Sequence, residues 1–467
     1  MNHKESKGVN PAEIYINKLC KHSFLSLWSY SNLYTDEGRK VGKGCGHELC
    51  DLLVVSGNDI IIFSVKSIKY NKTIDTEVAW TRWFKKAVQQ SSYQLYGAEN
   101  WLKKYSNRIY RDPQCQSPFP LPIPTSEKIR IHRVAVALGI KDACRDFRVG
   151  NGLGSLIIKS DLSGDAHYKN PFCVGHVNRE KGFVHVFEDF TIDTVLKELD
   201  TVTDFIEYLS KRENFLSREK PIIIAFGDEQ LLAIYLTHQN IDNKHDFIYQ
   251  DEGQELICFD GSHWNGLLQH PKYKAKKQAD EISYVWDEMI EHFIKIGGIY
   301  NGTENRSQDD PDFERILRYI ALEPRIRRRH LAGTLYDLLT NTPHNIRNAR
   351  LAYSDYFIEK AYVFFILPVK NGEKYEMYRI CRKSFLLAYC KVAKLCCPNA
   401  SYIIGIATEN DRNNGTSWDM ILLDVREWSE EQQMEAKSLQ KEWSLFLNEN
   451  IKKYGIISPE WPEVRYK

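Results

Sequence analysis

The stretch ELCDLLVVSGNDIIIFSVKS (48–67) decides the fold of the N-terminal part of the chain. Two apolar runs of strand length flank a Ser-Gly-Asn segment (56–58), a pattern typical of a β-hairpin. Because side chains alternate along a strand, Ser64 and Lys66 lie on the same face of the second strand. A cation at the end of a buried strand needs a partner, and Asp51 on the first strand is the natural one. The sequence therefore predicts a hairpin that pairs Asp51 with Lys66.

Helical patterns lie on both sides of the hairpin. The segment PAEIYINKLC (11–20) begins a helix with a proline in its first turn. Apolar residues from Trp80 to Tyr105 recur at helical spacing and predict one long amphipathic helix. The three tryptophans of this helix, at 80, 83 and 101, fit a buried core better than base stacking. Further elements are predicted as strands at 129–138, 172–177 and 183–189, and as a helix at 192–212.

This order of elements resembles that of the PD-(D/E)XK nuclease superfamily, with its RecB-like and restriction-endonuclease-like branches, over roughly residues 11–190. Asp51 falls on the first motif acid of that family, and Ser64-Val65-Lys66-Ser67 falls on its second motif. The helix after the hairpin carries Gln89-x-x-x-Tyr93, similar to the Q-x-x-x-Y motif of the RecB-like branch. Gln90 and Gln94 are competing candidates for the glutamine of this helix.

The resemblance implies metal-dependent hydrolysis of phosphodiester bonds, with Mg²⁺ or Mn²⁺ held by carboxylates. Lys66 would orient the attacking water or neutralise charge on the phosphate, and the glutamine would position the site. The chain departs from the family at Ser64, which stands where the second acid is expected and is a poor Mg²⁺ ligand. The candidate catalytic residues are Asp51, Lys66, Glu48, Ser64 and Gln94, and the candidate metal ligands are Asp51 and Glu48.

A substitute acid is therefore needed. Glu48 is favoured, although on a regular strand it faces the side opposite to Asp51. It joins Asp51 only if a bend or β-bulge intervenes, which the preceding glycines at 44 and 46 permit. Glu13 on the first helix and Glu77 just before the long helix are the other options.

Two basic segments are candidates for contact with nucleic acid. Arg82, Lys86, Gln89 and Tyr93 share a polar stripe of the long helix that could follow a phosphate backbone. The second segment spans 315–350 and has its densest part at EPRIRRRH (323–330), with Arg325, Arg327, Arg328 and Arg329. The alternative for these arginines is pairing with an acidic surface of another domain, such as 188–207.

Two other motifs are weak. Cys45, His47 and Cys50 form C-x-H-x-x-C, which suits zinc only if a fourth ligand joins them. Arg325 and His330 have the spacing of the R-x4-H motif of HEPN ribonucleases, but arginine is so dense here that a chance match is easy.

The 467 residues include 63 basic and 62 acidic side chains, for a net charge of +1. This balance excludes a uniformly basic nucleic-acid coat. The eleven cysteines, an odd number, indicate reduced thiols and a cytoplasmic protein. No apolar run is long enough to cross a membrane. We expect a multi-domain, mixed α/β chain. Its expected domains are a restriction-endonuclease-like domain (1–215), an α/β connecting domain (216–310), and basic helices followed by a smaller α/β domain (311–467).

The function expected from the resemblance is a metal-dependent DNA nuclease, with RNA not excluded and with a homodimer or a partner protein as further options. Proteins of this family often serve restriction, phage defence or repair. One alternative is an inactive nuclease-fold protein that binds nucleic acid or regulates a partner. A third hypothesis is a sensor whose acidic 188–207 and basic 315–350 surfaces hold each other in an autoinhibited state.

Overall fold

The computed structural model of the chain describes residues 10–39, 44–124, 127–147, 153–242, 244–247, 253–296, 299–300, 305–306, 317–353, 358–370, 372–410, 417–447 and 459–463. The chain is mixed α/β with several sheets, as predicted. It divides into two compact units, Met1–Lys274 and Ala275–Lys467, and each is described by itself. No helix among the described residues is long and apolar enough to cross a membrane.

The first unit contains most of the helices and strands of the chain. Its helices are α1 (Pro11–Phe24), α2 (Thr76–Phe84), α3 (Gln90–Lys104), α4 (Lys141–Phe147), α5 (Asp189–Glu198), α6 (Val202–Leu216), α7 (Asp228–Thr237), α8 (His263–Gln269) and α9 (Pro271–Asp280), the last of which runs into the second unit. Its strands are β1 (Ser29–Thr35), β2 (His47–Ser56), β3 (Asp59–Ser67), β4 (Ile109–Tyr110), β5 (Arg130–Leu138), β6 (Ile157–Ser163), β7 (Cys173–His176), β8 (Val184–Phe187), β9 (Ile222–Ala225) and β10 (Leu256–Phe259).

The predicted hairpin is present as the antiparallel pair β2–β3. Ser56 pairs with Asp59, so the connection has two residues, and the first of them, Gly57, has a φ of +67°. Glycine adopts this conformation without a steric penalty, which explains the tight turn. The hairpin lies inside a six-stranded sheet of order β4-β1-β2-β3-β5-β8, in which β3, β5 and β8 run parallel.

Helices pack against the sheet beside the hairpin. Phe24 of α1 and Phe63 of β3 both pack against the ring of Phe205 of α6. Helix α3 packs across β2, β3 and β5. The two strands of the hairpin are therefore nearly inaccessible along their length, apart from the turn at Asn58 and the open end, where Lys66 is partly exposed.

The predicted long helix is continuous but not uniform. Helices α2 and α3 are joined by a π-helical turn, Lys85–Gln89, in which the Gln90 N–H donates to the Lys85 carbonyl. Such wide turns insert an extra residue and occur often at functional sites. Trp80, Trp83 and Trp101 are buried, so the core interpretation of these tryptophans is confirmed.

The predicted helix at 192–212 is two helices, α5 and α6. The chain breaks at Asp200, and Thr201 caps α6 by accepting a hydrogen bond from the Asp204 N–H at 3.1 Å. A threonine with a carboxylate three residues later is a start signal for a helix. The second helix therefore begins anew rather than continuing the first.

The first compact unit continues past residue 215, where the sequence places a domain boundary, as far as Lys274. A second sheet, of order β10-β9-β6-β7, pairs β6 antiparallel with β9 across that boundary. The fully buried Arg212 also forms an ion pair with Asp228 across it. Residues 216–274 therefore belong with the first unit, because strand pairing and a buried ion pair hold them there.

The boundary predicted at 310 lies in the polar stretch 301–312, most of which is outside the described residues. Asp287, before that stretch, forms ion pairs with Arg325 and Arg328, after it, so residues 275–296 belong with the C-terminal part. The helices of the second unit are α10 (Tyr284–Ile296), α11 (Arg325–Asn341), α12 (Tyr375–Cys396) and α13 (Glu430–Trp443). Its strands are β11 (Ile299–Tyr300), β12 (Asn305–Arg306), β13 (Asn348–Ala352), β14 (Lys360–Leu367), β15 (Tyr402–Glu409) and β16 (Trp418–Asp424).

The main sheet of the second unit has the order β13-β14-β15-β16, with β14 and β15 parallel. Helices α12 and α13 cover one face and share an apolar core with the strands. Trp286 of α10 packs against Tyr362 and Phe364 of β14. Alternate residues of β14 thus enter two different cores, which explains why its sequence, KAYVFFIL, is almost continuously apolar.

We predict that Asp228→Ala destabilises the first unit by about 3–5 kcal/mol, because it leaves the Arg212 guanidinium charged and unpaired in the interior. Chemical denaturation followed by circular dichroism measures this change. The matched control is Glu255→Ala, which removes an exposed partner of Lys220 and leaves the unfolding midpoint unchanged. Equal midpoints for both variants would contradict a stabilising role of the buried pair.

Candidate active site at the open end of the hairpin

The hairpin brings Asp51 and Lys66 together, as the sequence predicts. The register that pairs Leu52 with Phe63 places Asp51 opposite Ser64, and Lys66 follows two residues later on the same face. The Lys66 Nζ atom lies 3.8 Å from the Asp51 Oδ2 atom. The Val65 N–H donates to the same oxygen at 2.5 Å. The carboxylate is buried, whereas the lysine is one-third exposed and reaches solvent.

A β-bulge places Glu48 on the same face as Asp51. Leu33 pairs with Cys50, but the next residue of β1, Tyr34, pairs with Glu48, so Leu49 is an extra residue in β2. One extra residue reverses the alternation of side chains beyond it. The condition that the sequence sets for Glu48 is therefore met in the structure.

The carboxylate of Glu13, in the first turn of α1, is near enough to Asp51 and Glu48 for its charge to raise the pKa of both. Asn10, the N-cap of this helix, donates to one oxygen of Glu13, and Asn32 of β1 donates to the other at 3.5 Å. The side chain is almost fully buried. Glu77, the third option for the missing acid, is exposed in the first turn of α2.

The charges of these residues act on one another. Burial raises the pKa of Asp51, and the Glu13 charge adds to the rise, whereas Lys66, the Val65 N–H and Gln94 lower it in part. Burial also raises the pKa of Glu48, with further contributions from Asp51 and Glu13 that Lys66 only partly offsets. The two carboxylates therefore ionise together less readily than isolated ones, and a bound cation would relieve this.

Gln94 is the glutamine that reaches the hairpin. Ser64 Oγ donates to Gln94 Oε1 at 2.8 Å, and the Gln94 side chain also hydrogen bonds to Asp51. Gln89 instead accepts a hydrogen bond from Tyr168 at 3.1 Å, and Gln90 is exposed. Ser64 thus adds no charge to the site. Its hydroxyl hydrogen bonds to Gln94, and Gln94 in turn hydrogen bonds to Asp51.

The donor set fits a divalent cation bound through two carboxylates and water. In the described part of the chain, no three His, Cys, Asp or Glu side chains are grouped closely enough to form a metal cage. Mg²⁺ does not require one, because it commonly uses one or two carboxylates, waters and substrate phosphates. The zinc hypothesis has no such support, since Cys45 is exposed and Cys50 is buried within β2.

The two predicted nucleic-acid surfaces differ in the structure. Arg82, Lys86 and Tyr93 are exposed on the helix that carries Gln94, and Gln89 is half-buried beside them. A phosphate backbone could reach the three exposed side chains.

The arginines of the second surface are buried, which overturns their predicted contact with nucleic acid. Arg325 and Arg328 pair with Asp287, Arg329 pairs with Asp280 at 3.1 Å, and Arg327 lies 3.9 Å from Glu323. Charged side chains enter an interior only with such partners. Their acids come from the second unit itself, not from 188–207. The R-x4-H motif loses its basis as well, because Arg325 is held in this network.

The acidic segment 188–207 is not the solvated face that its composition indicates. Glu188 is buried and caps α5 by accepting from the Phe190 and Thr191 N–H groups. Asp189 accepts hydrogen bonds from the N–H groups of Gly139, Ile140 and Lys141. These carboxylates hold backbone groups inside the first unit.

Sequence reasoning missed the residues that orient the site from a distance. Asn10 and Asn32 hold Glu13 near Asp51, and Tyr168 holds Gln89, which lies on the predicted nucleic-acid stripe and not at the hairpin. Asn32 has a positive φ of 53°, a conformation that asparagine tolerates better than most residues. The asparagine within the polar segment SYSN was the one local signal for this position, and Tyr168 had none.

Comparisons with known proteins identify no relative: no protein-family model matches the chain, and no significant match is found among curated proteins or solved structures. The functional argument therefore depends on the geometry and chemistry of the site.

We predict that Asp51→Asn raises the melting temperature at pH 8, by about 2–4 °C for each kcal/mol gained. A carboxyl whose pKa is raised by folding stabilises the folded state below its unfolded pKa and loses that contribution as pH rises through the folded pKa. The amide does not ionise, so the advantage of the variant shrinks as pH falls. Differential scanning fluorimetry across pH measures this, with the exposed Asp146→Asn as control.

We predict that Mg²⁺ or Mn²⁺ stabilises the wild-type chain, by about 2.7 kcal/mol when the cation is present at 100 times its Kd. Glu48→Gln and Asp51→Asn each remove a negative ligand, so the cation-dependent rise in melting temperature disappears. Glu77→Gln is the matched control, because that carboxylate is exposed on α2. An undiminished rise in Glu48→Gln would exclude Glu48 as a ligand.

Proposed function

We propose that the chain is a metal-dependent nuclease of the PD-(D/E)XK type that cuts phosphodiester bonds of DNA at the Asp51–Lys66 hairpin. One observation carries the proposal: the bulge at Leu49 brings Glu48 to the face of Asp51 and Lys66. The site then combines two carboxylates with raised pKa and a solvent-reaching lysine. Groups with perturbed pKa around a specific charge partner are typical of functional sites.

Each residue of the site has a separate role in the proposed reaction. Asp51 and Glu48 would hold Mg²⁺ or Mn²⁺, which when bound supplies an acidified water and stabilises charge on the phosphate. Lys66 projects from the open end of β3, where its ammonium group can orient the attacking water or neutralise a phosphate oxygen. Gln94 fixes the Asp51 carboxylate, and Ser64 fixes Gln94.

Arg82, Lys86 and Tyr93 supply the proposed path for the nucleic acid. They lie on the same helical segment as Gln94 and are exposed. Cations along such a path neutralise phosphates, and the exposed tyrosine ring offers a surface for a base.

The alternative is a catalytically inactive nuclease-fold protein that binds nucleic acid or regulates a partner, and Ser64 favours it. A neutral hydroxyl stands at the second motif acid, and it is engaged with Gln94. The autoinhibited sensor has less support, because Glu188, Asp189 and the arginines at 325–329 are engaged inside their own units.

The cellular location, the biological role and the partners of the chain are part of the same proposal. All eleven cysteines are free thiols, which suits the reducing cytoplasm. A role in restriction or phage defence, and a homodimer or partner protein, would follow from the family to which the site is similar.

The test compares the wild-type chain with Asp51→Ala and Lys66→Ala on supercoiled DNA and on single-stranded RNA, with Mg²⁺ or Mn²⁺. We expect nicking of DNA by the wild type and a loss of at least about 10²-fold in each variant. The control is Lys72→Ala, which removes an exposed lysine paired with Asp146. Equal nicking by all four proteins would reject the site. Salt-sensitive DNA binding without cleavage would favour the inactive alternative, and selective RNA cleavage would replace DNA as the substrate.

A further inference from the structure

A tyrosine lies beside the polar side chains at the open end of the hairpin. Tyr34 of β1 is paired directly with Glu48 of β2. Residues directly opposite each other on antiparallel strands project from the same face of a sheet. Tyr34 therefore lies on the face that Asp51 and Lys66 share, and its side chain is half-buried.

The charges of the site act on this tyrosine. Burial raises the pKa of Tyr34, and the charge of Glu48 makes the largest electrostatic contribution to the rise, followed by those of Glu13 and Asp112. The phenol therefore keeps its proton at neutral and mildly alkaline pH. Within the described ranges of the chain, its hydroxyl has no hydrogen-bond partner. The hydroxyl can therefore donate a hydrogen bond to a ligand that binds beside the carboxylates.

Tyr34 and Lys66 lie on opposite sides of the two carboxylates. Strand β2, which carries Asp51 and Glu48, lies between β1 and β3 in the sheet. Neighbouring strands are about 4.8 Å apart, so the backbones that carry Tyr34 and Lys66 are separated by about 10 Å. A phosphate held over the carboxylates would have the lysine on one side and the tyrosine on the other.

This arrangement suits the geometry of phosphoryl transfer. The attacking and leaving oxygens lie roughly in line, on opposite sides of phosphorus. With Lys66 beside the attacking water, the leaving oxygen is on the side of Tyr34. A leaving alkoxide is strongly basic and needs a proton, and a phenol is acidic enough to supply one.

We propose that Tyr34 is the proton donor for the leaving oxygen of the phosphodiester, a role that rests on the proposed nuclease function. The oxygen of a water molecule forms a bond to phosphorus. The bond between phosphorus and the leaving oxygen breaks, and its electron pair stays on that oxygen. The leaving oxygen takes the phenolic proton of Tyr34, while the attacking water gives one proton to solvent. The phenolate then regains a proton from solvent.

The test compares two leaving atoms in the same DNA, with Mn²⁺ present. Sequencing of the product ends identifies the bond that the wild type cuts in a short duplex, and a synthetic duplex then carries sulfur in place of the leaving oxygen. Thiols are more acidic than alcohols, so sulfur leaves without a proton donor. We expect Tyr34→Phe to cut the oxygen substrate at least about 10²-fold more slowly and the sulfur substrate at the wild-type rate.

Two controls separate proton donation from structure and from binding. Tyr110→Phe removes the hydroxyl of the tyrosine that pairs with Tyr34 on its other side and hydrogen bonds to Asp36, and we expect both rates to stay unchanged. Fluorescence anisotropy in EDTA measures DNA binding without cleavage. We expect Tyr34→Phe to bind the duplex as tightly as the wild type, because the proton moves only in the transition state.

The outcomes distinguish this role from the nuclease function itself. A wild type that cuts neither substrate rejects the proposed function and the role of Tyr34 with it. Cleavage of the oxygen substrate at equal rates by the wild type and Tyr34→Phe would overturn the role of Tyr34 alone. Equal slowing of both substrates, with or without weaker binding, would make Tyr34 a positioning residue and would also overturn proton donation.

Discussion

Burial of the Asp51 carboxylate inside the hairpin is the constraint on which the rest of the site depends. A buried carboxylate requires hydrogen bonds and a cation. The Val65 N–H, Gln94 and Lys66 supply them from a neighbouring strand and a packed helix. Each partner is therefore fixed by the fold, because the sheet register places Lys66 and the packing of α3 places Gln94. The pKa of Asp51 is still raised despite these partners, and a bound divalent cation would lower it.

Much of the first sheet could be predicted from sequence because its strands are apolar and its turn has a glycine. The hairpin, the helix after it and the parallel strand β5 all follow the expected patterns. Strand β1 could not be predicted, because its buried residues include Ser29, Ser31 and Asn32. Ser31 accepts a hydrogen bond from Asn17 and Asn32 donates one to Glu13, both on helix α1, and no local pattern in the sequence reveals these contacts. The pairing of β6 with β9 across residue 215 was equally hidden from the sequence, since the two strands pair over a long separation.

Charge runs were the weakest guide to the site. The arginines at 325–329 and the acids at 188–189 have the composition of exposed patches, yet they are buried by ion pairs and by backbone hydrogen bonds. Composition cannot distinguish these outcomes, because Asp280 lies 49 residues from Arg329 and Asp287 lies 41 residues from Arg328. Conversely, the contact between Asp51 and Lys66 was predicted because the alternation of side chains along a strand determines which residues share a face. Reasoning from the alternation of side chains along a strand predicted this contact, and reasoning from local charge predicted the wrong environment for the arginines.

The bulge at Leu49 has a consequence for how such a site can change over time. Glu48 lies on the same face as Asp51 because β2 contains an extra residue, Leu49, between them. A chain with an acid at the position of Ser64 would have no need of the bulge to bring a second carboxylate to Asp51, and a chain with the bulge has no need of that acid. The two arrangements are exchanged by one inserted or deleted codon together with one substitution. A motif written as fixed letters at fixed spacing would then miss chains in which the charge is kept but carried by the neighbouring strand.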